Sequence, residues 1–398
     1  MKIAWLTPEV PYPPIGGRNG VYNRIVQLSK YNQIYLFSIA YNEEERVSKD
    51  EMEKYCAQVH YYNRNESKVK KLLKSLLSPY SVASRTLPQL QTDLAELFDR
   101  EKIDCVICDF PNMAKNLFGI VPKGTYCTIN QHNNEYRRMR DMVKVPTIPL
   151  YKRIAYYLES FRLEWYEKDL YKKNLFKSVT FFSNDDLYAF QNKWKDSRAE
   201  LKLFPLGANG FDTELSFDDQ PNMLFVGRLD AIAVPNVEAS LWFCKNVMPK
   251  VLEQVPNAQL IIAGANPAPE VMALANDHVR IIPNYADLMD VYSLADCVIL
   301  PLQSGGGVKG KLLEAAALKK LVISTSHGIE GTKFAPDVHV LYANEPEDFA
   351  NQCIKALISK NDYLSMAQRA FTLFEEAYDW NTIGKNYHNY LTEQIKLR

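Results

Sequence analysis

A two-domain α/β chain with mostly parallel sheets is the fold class this sequence predicts, and three observations carry it. Short, continuously apolar runs recur in both halves and alternate with helical patterns, the grammar of strand–helix units. At 398 residues the chain exceeds one ordinary domain. The alternation breaks once, where Leu203-Phe-Pro-Leu-Gly-Ala-Asn-Gly-Phe211 passes into a polar, acidic run from Asp212 to Asn222, which places a domain boundary near 205 to 220.

Composition narrows the class. A hydrophobic content of 47% is enough for large cores, and a formal net charge of zero gives no global field to recruit nucleic acid. Seven cysteines, an odd number, argue against a disulfide framework. Cys105-x-x-Cys108 has redox or metal spacing, but the second pair a zinc site needs is missing, and Cys105, Cys108, Cys127 and Cys297 fall in apolar strand-like runs. No metal site is expected. The apolar run Lys2 to Thr7 stands at the N-terminus with no basic leader, and no stretch of 18 apolar residues occurs. A reducing cytoplasm is the expected compartment.

In the first half, strands are expected at Lys2–Thr7, Ile34–Ala40, Val59–Tyr62, Cys105–Phe110, Tyr126–Asn130 and Val179–Ser183. The first runs into a proline-rich loop ending in Gly16-Gly17-Arg18, then a helix from about Val21 to Lys30, so this loop stands at the C-terminal edge of the sheet. Gly16-Gly17 alone carries little, because any tight turn needs glycine. Arg64 to Leu77 sets five basic residues against one acid beside an apolar stripe of Val69, Leu72, Leu73, Leu76 and Leu77. It fits an anionic membrane surface and an ordinary surface helix equally well. His132, beside Asn133 and Glu135 just past a strand end, is a site candidate; a lone histidine is more often structural, but this edge of an α/β sheet is where ligands bind, and Asp109 shares it. The long helix from about Tyr151 to Tyr171 reads as packing.

In the second half, strands are expected at Met223–Leu229, Gln259–Gly264, Val279–Pro283, Cys297–Leu302, Leu321–Thr325 and Val340–Tyr342. Helices follow at about Asn236–Gln254, Pro269–Asn276, Ala286–Ser293, Lys311–Lys319 and Pro346–Ser359, and Asn361 to Arg398 reads as wholly helical. The chemistry concentrates at Leu300 to Leu321, a strand, then Gly305-Gly306-Gly307, then Lys309, Lys311 and a helix. Such a turn brings backbone N–H groups to an anion, and the helix start adds about half a positive charge. A diphosphate suits it better than does a bare turn with solvated lysines. Glu314, one turn into the helix, can reach a neighbouring ribose.

The ordered series F-V-G-R-L-D at 225–230, P-N-V at 235–237, L-I-I-A-G at 260–264, N-Y-A-D-L at 284–288, the glycine–lysine–Glu314 segment and S-T-S-H-G-I-E-G at 324–331 resembles the retaining glycosyltransferases of the GT-B fold, specifically glycosyltransferase family 4, over about 170 residues. The string His132-Asn-Asn-Glu-Tyr-Arg is similar to one bacterial polysaccharide-synthesis branch of that family. The resemblance implies two Rossmann-like domains facing across a cleft: 1–205 for the acceptor, 206–375 for the nucleotide sugar, and 376–398 a helix returning to the first domain. It implies Arg228 and Lys311 on the diphosphate with Lys309 helping, Gly305 to Gly307 as backbone donors, Glu314 on the ribose and Tyr285 beside the base. It also implies Gly16-Gly17 closing over the phosphates and His132 contacting the donor sugar near the reacting carbon. Two positions depart from the family: Gly306 stands where a glutamate is common, and Ala233-Val234 where a lysine is common.

The activity so implied is sugar transfer from a UDP- or GDP-linked donor to a glycan, lipid-linked or protein acceptor with retention of configuration. No cofactor or metal takes part, and peripheral contact with the inner face of an anionic membrane is expected. Gly306 motivates a competing reading, a non-catalytic GT-B subunit that binds glycan or supports a partner enzyme. An epimerase of the same fold would make product without an acceptor. A dehydrogenase is disfavoured, since neither half carries the G-x-G-x-x-G fingerprint.

Overall fold

The computed structural model describes residues 1–14, 17–41, 46, 48–63, 78–132, 134–144, 149–211, 214, 220–230, 233–285, 287–305 and 307–397. Gly16, Gly306, Asn133 and the basic segment Arg64 to Leu77 lie outside them. The chain divides into two compact units, Met1–Pro205 with Ile383–Arg398, and Leu206–Thr382.

The first unit is a seven-stranded parallel sheet of β1 (Lys2–Thr7), β2 (Gln33–Ala40), β3 (Gln58–Asn63), β4 (Cys105–Asp109), β5 (Tyr126–Gln131), β6 (Ser178–Phe181) and β7 (Glu200–Leu203), in the order β3-β2-β1-β4-β5-β6-β7. Its central strands are apolar on both faces because helices cover both; Ile3, Trp5, Val106 and Ile107 are all inaccessible to solvent. Strand order reverses between β1 and β4, where Trp5 pairs with Ile107, so the crevice an open α/β sheet offers to ligands lies outside Thr7 and Asp109. The terminal helix Trp380–Lys396 contributes its second part to this unit. There Gly384 packs so closely on the helix Arg18–Ser29 that a Cβ would stand 2.3 Å from Gln27 Cβ.

The second unit repeats the plan with β8 (Asn222–Val226), β9 (Gln259–Gly264), β10 (Val279–Pro283), β11 (Cys297–Leu300), β12 (Leu321–Ser324) and β13 (Leu341–Tyr342), ordered β10-β9-β8-β11-β12-β13. Its switch point lies between β8 and β11. The segments leaving those strands are Gly227-Arg228 and the run from Pro301 into the glycine loop, so topology alone brings the two together.

Four sequence expectations are corrected. The stretch Glu200–Leu203 is a strand: it is a four-residue edge strand whose residues are all only half-buried, and so lacks an apolar run. The helix expected over Asn236–Gln254 is two, Val234–Asn246 and Met248–Gln254, because Pro249 offers no N–H to the preceding turn. The C-terminal stretch is broken at Tyr378-Asp379, where Ala208 N donates to Tyr378 O (3.0 Å) and Ala208 O accepts from Trp380 N (3.1 Å). The fourth concerns the long helix Leu150–Lys172. Ser160, Leu163, Tyr166, Glu167, Leu170 and Tyr171 pack inward, but Leu150, Ile154, Tyr157, Leu158, Phe161 and Trp165 stand in solvent, Trp165 at 71% exposure, so packing explains only one of its faces. Among the described residues no helix is long and apolar enough to cross a membrane.

Candidate functional site

Lys311 is the centre of the second unit's site. It lies in the first turn of the helix Gly310–Ala317, whose inner face of Leu312, Leu313, Ala315, Ala316 and Ala317 is buried and fixes the helix against the sheet. Its ammonium lies 4.1 Å from the Phe225 ring centroid and donates to Asn236 Oδ1 at 2.7 Å. The same Asn236 amide donates to the Arg228 carbonyl at 2.8 Å, tying Lys311 to the β8 turn. A Cβ on Gly227 would stand 2.7 Å from that ammonium, so the glycine makes room for it. Burial pushes the Lys311 ammonium down to about 7, against the pull of Glu314 and with the help of Lys309. A buried ammonium whose hydrogen-bond acceptor is a neutral amide is prepared for an anion.

Glu314 lies one turn on and accepts from Tyr292 Oη at 3.0 Å. Burial raises its carboxyl above the usual range, while Tyr292 and Lys311 oppose the rise. Tyr285 is half-buried on the loop after β10, and burial together with Glu314 raises its hydroxyl. In the glycine loop, Gly305 (φ 95°) and Gly307 (φ 79°) are left-handed, a conformation that side chains other than glycine adopt at a cost. The Lys309 ammonium donates to Gly305 O (3.0 Å) and Gly307 O (2.5 Å), so this lysine staples the loop. The Arg228 guanidinium is exposed and paired through Nε with Asp230 (2.5 Å).

The first unit builds a second polar cluster at its switch point. Asp109, inaccessible at the end of β4, bonds His132 Nε2 at 2.9 Å and accepts from Asn130 Nδ2 at 2.7 Å and Trp5 Nε1 at 2.5 Å. A carboxylate only accepts, so the His132 proton sits on Nε2 and the lone pair on Nδ1. The ring stacks on Phe110 (4.2 Å, 10°) and meets the edge of Phe182 (4.4 Å), and burial pushes the imidazole below its ordinary value while Asp109 resists. Below this layer Asn130 Oδ1 accepts from Tyr387 Oη of the terminal helix at 2.9 Å. Gly17 precedes the helix Arg18–Ser29 with φ −62°, and a Cβ there would meet nothing within 4 Å, so local packing does not require glycine.

Lys311, Glu314, Tyr285, Lys309, Gly305, Gly307 and the Arg228 backbone thus belong to one site, and His132 to a cluster in the other unit. The sequence reading did not assign roles to Asn236, Tyr292 or Trp5. Asn236 stands in the P-N-V string that carried the resemblance, a signal that could have marked it; Tyr292 and Trp5 sit in ordinary apolar runs and could not have been singled out. Among the described residues no group of three His, Cys, Asp or Glu side chains could hold a metal ion.

Comparison with known proteins defines the class. Residues 220–359, which lie in the second unit, match the family described as glycosyl transferases group 1. The paired parallel-sheet domains have the GT-B fold. The chain aligns with a glycosyltransferase from Rickettsia africae (14% identity, 99% of this chain and 98% of the other, TM-score 0.64). It aligns equally with sucrose-phosphate synthase from Thermosynechococcus elongatus (15%, 100% of each, 0.64). HepE of Anabaena, solved in complex with UDP-glucose, aligns at 14% identity over 99% of this chain and 100% of its own, with a TM-score of 0.58. In sequence, an uncharacterized 44.6 kDa protein in the cps region of Klebsiella pneumoniae is 27% identical, spanning 95% of this chain and 96% of that protein. The family match over the second unit supports sugar transfer, and hence a transferase.

Proposed function

We propose that the protein transfers a hexosyl group from a nucleoside-diphosphate sugar, UDP- or GDP-linked, to a glycan, lipid-linked or protein acceptor with retention of configuration, in polysaccharide assembly. The observation that carries this reading is the buried Lys311 ammonium beside a glycine loop and a helix N-terminus, with its hydrogen bond going to the neutral Asn236 amide. A leaving diphosphate accumulates negative charge as the anomeric bond breaks, and Lys311, the loop N–H groups and the helix start stabilise it where it grows. Charge-assisted bonds of about 1.5–3 kcal/mol each, two or three together, correspond to several powers of ten in rate. Glu314 takes the ribose hydroxyls, with Tyr292 holding its carboxyl in place, and Tyr285 lines the base. Arg228 joins the phosphate by leaving Asp230. In a retaining route the acceptor attacks on the face the diphosphate leaves, so that phosphate takes the acceptor's proton and no carboxylate nucleophile is required. His132, neutral and oriented by Asp109, serves the sugar through Nδ1.

The test is direct. UDP and GDP are screened by thermal shift, and ligand at a hundred times its Kd stabilises by about 2.7 kcal/mol. The better nucleotide's hexose derivatives are then incubated with the protein, and proton NMR follows the anomeric signal of the product. Stabilisation by neither diphosphate sinks the donor-site assignment. Stabilisation with no hydrolysis and no transfer favours instead a non-catalytic GT-B subunit, and an inverted product removes the retaining assignment.

A further inference from the structure

The helix Leu150–Lys172 carries an exposed ridge that neither unit's core uses. Leu150, Ile154, Leu158, Phe161 and Trp165 recur at three- and four-residue spacing, so they share one face and are all exposed. Isolated exposed hydrophobics are ordinary, but an aligned row along four turns is a surface that something covers. The fully exposed residues of this helix that are not apolar are Lys152, Lys168 and Lys172, and the half-exposed Asp169 is paired with Lys173 at 2.6 Å. Beyond Trp165 the ridge runs into a groove of about 760 Å3 lined with Arg140, Lys168, Lys172, Lys193 and Lys195. The groove's acids are already engaged: Glu164 binds Arg140 and Lys193, and Asp196 lies 3.9 Å from Lys172. Lys168 and Lys195 have no ion pair among the described residues.

We propose that this face is a docking surface for an anionic lipid bilayer, the apolar ridge entering the headgroup–acyl boundary and the lysine groove taking lipid phosphates. Charge decides between the occupants. In a parallel pair with a second copy, Lys168 and Lys172 of one ridge would face those of the other; in an antiparallel pair they would lie against the apolar Leu150–Ile154 end, so neither arrangement gives them an anion. An anionic headgroup layer complements both the cations and the apolar row. The inference does not depend on the donor-site reading, though it would explain how a lipid-linked acceptor is reached, and it places membrane contact on residues other than Arg64 to Leu77.

The full chain is mixed with vesicles of phosphatidylcholine alone and with phosphatidylglycerol added, at low and high salt, and bound protein is measured by flotation. Binding is expected only to the anionic vesicles, with release at high salt. Lys168→Gln with Lys172→Gln weakens it roughly 30-fold, at about 1 kcal/mol per lysine, and Phe161→Gln with Trp165→Gln weakens it more than tenfold. These side chains are exposed, so the variants fold, and their unchanged thermal shift with UDP or GDP verifies this and separates a failure here from a failure of the donor site. Wild-type protein that ignores anionic vesicles at low salt overturns the proposal, as do variants that bind like wild type. A dimer in solution that Phe161→Gln with Trp165→Gln dissociates, without vesicle binding, would assign the ridge to a second copy instead.

Discussion

Replacing Lys311 by methionine should move stability and ligand binding in opposite directions. The folded chain holds this ammonium at about 7 against an ordinary 10.5, with burial the main cause. At 1.36 kcal/mol per tenfold, keeping it there would cost about 4 kcal/mol at pH 7. Lys311 is only partly buried by surface area, so solvent screening reduces this to about 2 kcal/mol. Methionine removes that cost and forfeits the bond to Asn236, worth about 1 kcal/mol, so the unliganded variant should be about 1 kcal/mol more stable than wild type. Diphosphate affinity should nevertheless fall by roughly 10- to 150-fold, the equivalent of one charge-assisted bond. The sign with pH follows from the same shift. A lysine depressed on folding penalises the folded state fully below pH 7, so wild-type stability should rise from pH 7 towards 10.5, and the variant should lack this rise. Binding should run the other way: a diphosphate needs the protonated amine, so affinity should be about fivefold lower at pH 8 and about fiftyfold lower at pH 9 than at pH 7, where half of the amine is charged. Calorimetry with UDP or GDP in buffers of differing ionisation enthalpy should detect uptake of nearly one proton at pH 8. Flat affinity from pH 7 to 9 without proton uptake, or a variant that binds as well as wild type, would refute the reasoning.

Other outcomes follow from particular contacts. Glu314→Gln should weaken UDP or GDP by roughly 5- to 30-fold yet leave inorganic pyrophosphate unaffected, because the carboxyl is assigned to the ribose; equal loss for both ligands in competition calorimetry would move that assignment. His132→Gln should lower turnover with little change in nucleotide affinity. Because burial depresses His132, its fold stabilises the neutral form, and wild-type stability should fall as pH drops below 6.5, a loss the glutamine variant should not share in denaturant titrations. Gly384→Ala should destabilise the first unit by about 1–3 kcal/mol, since its Cβ meets Gln27 at 2.3 Å, and an unchanged denaturation midpoint would contradict that packing. Gly17→Ala should leave stability unchanged while lowering turnover; full activity would show that the loop does not approach substrate.

The sequence by itself determined the two-domain α/β plan and most strands, because a strand buried on both faces must be continuously apolar, and that is visible in one dimension. It also marked the glycine loop, Lys309, Lys311 and Glu314, since a left-handed turn, cations and a helix start are local features within ten residues. The strand Glu200–Leu203 escaped because a half-exposed edge strand has no such pattern. Tertiary structure alone decided the environments. Lys311 is depressed because Phe225, Gly227 and Asn236, some 75 to 86 residues away, close around it; His132 is held towards the neutral form by burial against Phe110 and Phe182, in opposition to Asp109, which orients it. The face of Leu150–Lys172 that meets solvent was equally hidden. That helix is rich in apolar residues nearly all round, so its sequence cannot say which row the core takes, and only the packing of Leu163, Tyr166 and Leu170 against the sheet leaves Phe161 and Trp165 outside.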